Sequence, residues 1–535
     1  MSKLQVRQRL ARGEEFVLQS LMGGVLGLLV GTLILVFHRL IDLGIAWVGH
    51  PSTWQTWQIL CYPIMGAGIT AWAFKRYAHR RSLGTGHVIE VLHQSPKHWP
   101  TTNSLLQFVL TPILLASGQS GGREGPAVHL GSTLGAMMTE RLKLPRNNLR
   151  VFVGAGAAAA IGGSFLTPLA GVAFAMEVIV MEYTVAGFLP VITAAVAASA
   201  LVQAITGEPL VPFPTFTELA QPHLLWVLLI GVGCGLLAAL FNYSTRQAER
   251  YRPRYSIFLA GVLCAGVGIV APNALGDGHD LWGQLAAGEM TIALIAGWIV
   301  AKLAMTTIVV GWGLPLGLIS PLLLLGAGAG SIVSLAAAGE WLPAYALIGM
   351  VSTMGAALMA PLAALIFVIE LSGQTTLMLP AMLALTLSLL THRLCGQGAL
   401  FVDQLADRGI RLNLHQSNHP LHHLGVQSAL QTSVAHVPVR FTGLPAPASH
   451  VVWRQGPRQM GCLEWSAFVL ACESLQPGDL LTQLNAPTLG RIEGNSTLAE
   501  MMRQCRSQGW QGAYLLEQRK VRGIIIEKNL RESFQ

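Results

Sequence analysis

The chain has 535 residues, of which 52% are hydrophobic and only 11% are charged, and its mean hydropathy is +0.52. Soluble domains carry about 25% charged residues, so this composition excludes an ordinary soluble enzyme. The formal net charge of +8 fits Lys and Arg in cytoplasmic loops. Because the basic residues do not cluster with aromatic ones, nucleic acid is not an expected partner.

Apolar stretches long enough to cross a bilayer as helices recur along the chain. Examples are residues 16–36, 224–241, 290–310 and 346–369. They predict an all-α polytopic membrane protein with the lipid bilayer as its surroundings. The basic start is separated from Phe16 by Glu14 and Glu15 and no small-residue cleavage site follows early, which predicts a retained cytoplasmic N-terminus and no signal peptide.

Two pairs of markers recur in the same order and predict an internal repeat. GREGP (residues 122–126) and GLISP (residues 317–321) are offset by 195 residues (317 − 122). PLAGVAFAME (residues 168–177) and PLAALIFVIE (residues 361–370) are offset by 193 (361 − 168). Duplicated halves with Gly- and Pro-interrupted segments are typical of transporters, whose binding site lies near the midplane at the broken segments.

The glycine-rich breaks predict a pathway for small anions. Irregular backbone at membrane depth must be buried in protein or line a watery cavity. A helix that begins there offers unpaired N–H groups and the positive end of its dipole, which bind an anion weakly enough to release it. LGTGHVIEVL (residues 83–92) is a third such break, where Thr85 adds a hydroxyl donor.

Several polar residues lie in or beside these apolar segments. A salt bridge from Glu124 to Arg123 is disfavoured, because adjacent residues seldom point the same way on a helix. His87 and His129, isolated near the breaks, are interpreted as packing or vestibule residues. Lys302 is open to two interpretations, a pair with a buried carboxylate or attraction of anions at a vestibule.

Glu177 and Glu370 occupy equivalent positions of the repeat, each at the end of an apolar run. We interpret both as structural residues that cap or brace a helix end.

The composition becomes polar near Leu412. Residues 411–425 are predicted to be a linker to a small cytoplasmic α/β domain, residues 426–535. Within it we expect a strand ending near Ile492, a helix from Leu498 to Gln508 capped by residues 495–497, strands at 513–516 and 521–526, and a further segment at 529–530.

No metal site is predicted. The seven cysteines are scattered without a CxxC pair, which indicates neither a disulfide framework nor a zinc site. The linker holds four histidines but Pro420 interrupts any helix that would align them, and a solvated linker is the preferred interpretation. These histidines are His415, His419, His422 and His423.

These motifs resemble those of the CLC family of chloride channels and chloride/proton antiporters, over roughly residues 16–410. GREGPAVHLGS, which follows Gly121, is similar to the family's glutamate-bearing filter motif. GTGHV (residues 84–88) stands where the family has Gly-Ser-Gly-Ile-Pro, with Thr85 for the serine and Val88 for the proline. GLISP resembles Gly-x-Phe-x-Pro, with Ile319 at the phenylalanine. GALFVDQLADRGI (residues 398–410) resembles the last helix, with Phe401 where many members present a tyrosine.

The resemblance implies an inverted repeat of broken, tilted helices and chloride transport gated by Glu124, whose carboxylate would occupy an anion site until it is protonated or displaced. The internal glutamate of proton-coupled members falls on Val178, which cannot titrate, and Phe401 has no O–H to donate. Both substitutions favour channel-like or weakly proton-coupled conduction, with a chloride/proton antiporter as the alternative. The resemblance implies an anion site formed by Gly84, Thr85, Gly86, Arg123, Gly125, Leu318, Ile319 and Phe401.

The segment 489–533 resembles a CBS motif, the cytoplasmic module of many CLC proteins, and an adenine nucleotide is the one cofactor that this likeness allows. Residues 427–482 are a candidate degenerate partner, although Pro438, Pro445 and Pro447 leave no clear match. The family implies a homodimer with one pore per subunit, and the absence of sorting signals favours a bacterial inner membrane.

Other classes and anions remain as alternatives. A polytopic membrane enzyme would need a nucleophile–base pair or metal ligands such as HExxH, and the sequence has none, so we expect no enzyme. A non-transporting sensor would signal through the C-terminal domain without anion flux. A fluoride-selective member is a further alternative, although GREGP and GTGHV resemble the chloride branch more closely.

Overall fold

Helices build the larger part of the chain in the computed structural model. The structure describes residues 3–77, 84–94, 99–144, 146–182, 185–207, 223–278, 281, 284–285, 290–338, 343–410, 426–455, 459–472, 475–476, 478–494, 496–517 and 520–527. Contacts divide the chain into two compact units, one of Met1–Glu140 with Arg150–Leu412 and one of Arg141–Leu149 with Asn413–Gln535.

The first unit confirms the all-α polytopic fold. Among the described residues, six segments are long and apolar enough to cross a membrane. The main helices are α1 (Lys3–Val48), α2 (Thr56–Tyr77), α3 (Gly84–Gln94), α4 (Thr101–Ala116), α5 (Glu124–Arg141), α6 (Arg146–Phe165), α7 (Pro168–Phe174), α8 (Val185–Thr206), α9 (Leu224–Arg250), α10 (Ser256–Val270), α11 (Ile292–Gly311), α12 (Ile319–Ala338), α13 (Pro343–Leu358), α14 (Pro361–Ser372), α15 (Met378–Leu394) and α16 (Leu400–Asp407).

One apolar stretch does not form a single span. Residues 346–369 were predicted to be long enough to cross the bilayer, but α13 ends at Leu358 and α14 begins at Pro361. Between them Met359 has a φ of 54°, in the left-handed region, and proline at the first helical position lacks an N–H that would bond to a preceding turn. The prediction of one span is wrong, because the chain turns here into two shorter helices.

The repeat predicted from the markers is present in the structure. Helices α5, α6, α7 and α8 have their equivalents in α12, α13, α14 and α15, and α1 packs along α8 as α9 packs along α15. Leu166 and Met359, offset by 193 residues (359 − 166), both adopt left-handed backbone immediately before α7 and α14. The two halves therefore share a local backbone design as well as an order of helices.

The two repeats exchange helix caps. The carboxylate of Glu370 accepts hydrogen bonds from the N–H groups of Leu169 and Ala170 at the start of α7, at 2.9 and 2.8 Å. The carboxylate of Glu177 accepts from the two equivalent N–H groups of α14, at 3.1 and 2.8 Å. Because first-turn N–H groups have no partner inside their own helix, the predicted capping role of both glutamates is confirmed.

The second unit holds a six-stranded sheet in the order β1-β2-β3-β4-β5-β6. The strands are β1 (Val434–Val437), β2 (His450–Arg454), β3 (Gln459–Glu464), β4 (Thr488–Ile492), β5 (Gly512–Glu517) and β6 (Lys520–Ile526), with helices α17 (Trp465–Cys472) and α18 (Leu498–Gln508). The predicted strand, helix, strand and strand from Ile492 onward are confirmed. Thr497 caps α18 in a capping box with Glu500, and residues 529–530 lie outside the described residues.

The pairing pattern of this sheet occurs twice. Strand β1 is parallel to β2 and β2 antiparallel to β3, and in the same way β4 is parallel to β5 and β5 antiparallel to β6. A helix connects β4 to β5, whereas the connection from β1 to β2 carries Pro438, Pro445 and Pro447. These prolines explain why the first half is hard to recognise from sequence, because proline disfavours the helix interior.

Candidate anion-binding site

The two predicted breaks meet inside the first unit. The Gly122 N–H donates to the Gly317 carbonyl at 2.8 Å, and the Gly317 N–H donates to the Gly122 carbonyl at 2.6 Å, which forms an isolated antiparallel bridge. A Cβ on Gly125 would lie 2.8 Å from the Cα of Gly317. Glycine is therefore required where the starts of α5 and α12 come together.

Glu124 connects the two helix starts. It is the first residue of α5, it is fully buried, and its carboxylate reaches across to α12. The Ser320 N–H donates to Glu124 Oε2 at 3.3 Å, and the Ser320 hydroxyl donates to Oε1. The Glu124 carboxylate thus takes the place that a small anion would take at the N-terminus of α12, since such termini bind anions.

Arg123 faces other carboxylates. Its guanidinium lies 3.4 Å from Asp42 Oδ1 and pairs closely with Asp277, and it is 4% exposed. The structure thus places this side chain in an ion-pair cluster of its own. Arg123 is one of the predicted anion-binding residues, but its positive charge is already offset by Asp42 and Asp277.

The third break begins α3. Gly84 has a φ of +63°, which favours glycine, and its N–H donates to Gln107 Oε1 at 2.8 Å. Thr85 follows and is buried. The first turn of α3 thus presents a buried hydroxyl and first-turn N–H groups, as the sequence predicted.

A cavity of about 60 Å³ unites the ends of these helices. It is lined by Gly84, Thr85, Gly86, Gly125, Glu249, Arg252, Val310, Gly311, Gly313, Leu314, Leu316, Gly317, Leu318, Phe401, Gln404 and Arg408. Six of the predicted anion-binding residues are in this lining, while Arg123 and Ile319 are buried outside it. The ring of Phe401 comes close to Gly86, 3.7 Å from where its Cβ would stand. A space of this size can hold a few water-sized species.

Polar side chains at the edge of the cavity were not found by sequence reasoning. Arg408 pairs with Glu249 and lies 3.8 Å from Glu90, and Gln404 Nε2 donates to Glu249 Oε2 at 3.1 Å. These residues come from α3, α9 and the C-terminal part of α16, and the only sequence signal is a charge or an amide beside an apolar run. Arg252 joins them and its Nε donates to Ser256 Oγ at 3.1 Å.

Val178 and Lys302 are both buried in the first unit. Val178 is buried in the π-helical turn Ala175–Val180 that continues α7. Lys302 is fully buried, and its Nζ donates to the carbonyls of Gly276, at 2.7 Å, and Ala274, at 3.3 Å. These carbonyl contacts place Lys302 as a brace of the turn that carries Asp277.

The two histidines are in contact with one another. His87 Nδ1 lies 2.8 Å from His129 Nε2, and the rings stack with centroids 5.1 Å apart. Both side chains are buried, and the hydrogen bond between them is one that the sequence did not predict.

No group of three or more His, Cys, Asp or Glu suited to a metal ion occurs among the residues that the structure describes. The linker histidines, from His415 to His423, lie outside those residues.

Comparison with known proteins identifies the family of the chain. The model of the family described as voltage gated chloride channel matches residues 65–393 of the chain. The chain belongs to this family. It is an integral, multi-pass CLC membrane protein, and CLC proteins are transporters or channels.

Individual relatives cover parts of the CLC chain. The H(+)/Cl(−) exchange transporter ClcA of Salmonella agona is 27% identical over 314 residues, which is 55% of this chain and 66% of the relative. A slow cyanobacterial Cl−/H+ antiporter has a similar structure, with a TM-score of 0.65 and 19% identity over 75% of this chain and 99% of that one. A CLC-type fluoride/proton antiporter matches with a TM-score of 0.61 and 23% identity, over 70% and 95% of the two chains. The structural matches show the CLC fold.

Proposed function

We propose that the protein is a chloride/proton antiporter in which Glu124 binds the proton and gates the anion pathway. The buried Glu124 carboxylate, held by two donors of Ser320 at the start of α12, is the observation that carries the proposal. A carboxylate at membrane depth is costly unless donors or positive dipole ends face it. Because the Glu124 carboxylate competes with the anion for the same donors, proton binding by Glu124 and anion binding at this position are coupled.

The chemistry follows from that competition. When Glu124 takes up a proton it loses its charge, and the Ser320 donors then bind it less strongly than they bind an anion. Chloride can replace it at the helix start and continue through the cavity lined by Thr85, Gly86 and Leu318. Deprotonation returns the carboxylate to its donors. Glu124 thus alternates between carrying a proton and occupying the position of the anion.

Antiport is preferred to channel-like conduction. Val178 and Phe401 favoured a channel-like protein, but the curated relative and the two solved structures are described by their names as exchangers or antiporters. Chloride is preferred to fluoride because the relative with the greatest identity given above carries chloride in its name.

The remaining assignments are proposals of the same kind. We propose residues 1–410 as the transport domain, 411–425 as a linker and 426–535 as a cytoplasmic domain related to CBS modules, where an adenine nucleotide could bind. The family likeness supports a homodimer with one pore per subunit, and the absence of sorting signals and the low cysteine use support a bacterial inner membrane.

The experiment uses the purified full chain in chloride-loaded liposomes, with chloride efflux and external pH recorded together. Chloride efflux should drive proton uptake and make the external solution more alkaline. In Glu124→Gln chloride should still leave while proton uptake stops, because an amide cannot titrate. Glu464→Gln, which replaces an exposed acid of β3 in the second unit, is the control and should remain coupled. Proton uptake by Glu124→Gln at the native ratio would show that the assignment is wrong.

A further inference from the structure

A row of buried polar groups runs along α5, beginning near the anion cavity. We call His87, His129, Ser104 and Thr133 the histidine row. Beyond the imidazole pair, Ser104 Oγ lies 3.2 Å from His129 Nδ1 and 2.7 Å from Thr133 Oγ1. All four side chains are at most 6% exposed.

The row connects two different environments. His87 follows Gly86, which lines the cavity, and His129 lies five residues after Glu124 on α5, about 7.5 Å along the axis at 1.5 Å per residue. At the other end Ser104 belongs to the first turn of α4, three residues after the exposed Thr101. The row therefore spans the distance from the cavity to within one turn of an exposed helix end.

A purely structural role explains this arrangement poorly. Buried polar groups need partners, but an apolar pair would fill the same space between α3 and α5 without desolvating two imidazoles. Histidine is the side chain whose ordinary titration lies nearest to neutral pH.

We propose that the histidine row carries protons between water at the start of α4 and the anion cavity. This inference rests on the proposed antiport and names the path that the proton takes there.

Each step transfers one proton. A proton from water binds Ser104 Oγ as the Ser104 hydroxyl proton passes to His129 Nδ1. His129 then gives its Nε2 proton to His87 Nδ1. His87 becomes an imidazolium beside the cavity-lining Gly86 and gives its Nε2 proton to a water molecule of the cavity, and the Glu124 carboxylate, which precedes the cavity-lining Gly125, takes a proton from that water and becomes a carboxylic acid. At every step one N–H or O–H bond breaks and one forms.

The hydrogen bonds of the row permit both directions of transfer. The Thr133 hydroxyl donates to the His129 carbonyl at 2.8 Å, so Ser104 is the donor to Thr133 until its hydroxyl rotates towards His129 Nδ1, and the ring nitrogens can donate or accept according to tautomer. Thr133 also accepts from Trp99 Nε1 at 2.9 Å. An indole N–H can only donate, so Trp99 fixes Thr133 and ends the row on that side. Thr133 is thus a positioning residue for Ser104.

Charged side chains lie near the row. Arg408 is the cation that acts on His87, and it is itself paired with Glu249 and Glu90. Other titratable groups on or beside α3 and α5 are His93, Glu124, Glu140 and Glu182. The backbone N–H of Trp99 donates to Glu140 at 2.8 Å, so an acid lies at the exposed end.

The test measures protons moved per chloride in liposomes for the wild type and for the double variant His87→Gln/His129→Gln. Glutamine can form hydrogen bonds but cannot titrate. Chloride efflux should persist in the double variant, and the proton-to-chloride ratio should fall at least ten-fold. His93→Gln is the matched control, because His93 lies on the same helix and bonds to the Ile89 carbonyl; its ratio should stay native. A native ratio in the double variant overturns the proposal.

Ser104→Ala and Ser104→Thr keep the test decisive if the double variant does not fold. The alanine variant should lose the proton flux and the threonine variant should keep it, at equal chloride flux. A native ratio in Ser104→Ala overturns the relay while a coupled wild type leaves the antiporter standing. A wild type that moves chloride without protons overturns both proposals together.

Discussion

Replacing Ser320 by alanine should move the pH at which the anion pathway opens. Ser320 donates both its N–H and its hydroxyl to the Glu124 carboxylate, and the substitution removes the hydroxyl alone. A hydrogen bond to a charged group contributes about 1.5–3 kcal/mol, and one pH unit corresponds to about 1.36 kcal/mol. Loss of this bond from the deprotonated, closed form should therefore shift the pH of half-maximal opening by about one to two units.

The midpoint should shift to higher pH, because only the carboxylate form of Glu124 loses a hydrogen bond. Because the carboxylate form is destabilised, Glu124 takes up its proton more readily, and the half-maximal chloride flux should occur at higher pH than in the wild type. The assay is chloride efflux from liposomes across a series of pH values, with flux normalised to the amount of reconstituted protein.

Two variants make the result specific. Ser320→Thr keeps a hydroxyl and should keep the native midpoint. Ser331→Ala removes another buried hydroxyl from α12, one that donates to the Ala327 carbonyl, and should also leave the midpoint in place. An unmoved midpoint in Ser320→Ala, with normal flux, would refute the view that Ser320 holds the closed gate.

Three further predictions concern other parts of the chain. Phe401→Tyr adds a donor beside the cavity and should tighten chloride binding about five-fold, the equivalent of about 1 kcal/mol; unchanged affinity by calorimetry would mean that the ring does not face the anion. Glu370→Ala removes the cap of α7 and should cost about 1–2 kcal/mol, seen as a lower thermal midpoint in detergent, and Glu177→Ala should have a comparable effect if the exchange is symmetric. Burial lowers the pKa of His450 in β2, against the smaller opposing effect of Glu464. The unfolded chain then binds more protons than the folded one as the pH falls below about 6.5, so the protection of β2 amides, measured as the exchange rate relative to the intrinsic rate at each pH, should fall through that value, and His450→Gln should remove this dependence.

Patterns repeated along the chain predicted much of the fold and part of the site. The offsets of 193 and 195 residues predicted equivalent broken helices, and the capping by Glu177 and Glu370 followed from their equivalent positions. The cavity unites six of the anion-binding residues that the family resemblance implied, and the glycine-rich breaks at the helix starts are the part of that set that the residues themselves indicated.

The contacts that the sequence did not reveal join distant residues. Arg123 pairs with Asp42 and Asp277, which are 81 and 154 residues away along the chain. His87 and His129, which seemed isolated, are 42 residues apart and meet because α3 and α5 begin at the same cavity. Such pairs depend on how helices pack, and periodicity within one helix carries no information about it.

The exchanged glutamate caps have a consequence for biogenesis. Each half of the transport unit supplies an acceptor that completes the first turn of a helix in the other half, through Glu370 for α7 and Glu177 for α14. In either half alone, the two first-turn N–H groups would lack the carboxylate acceptor that the other half supplies, which should leave that helix start less stable. We therefore expect the half that is synthesised first to complete its folding only after the second half has been inserted. Two halves made as separate chains should assemble only as obligate partners, and each would be prone to degradation when made without the other.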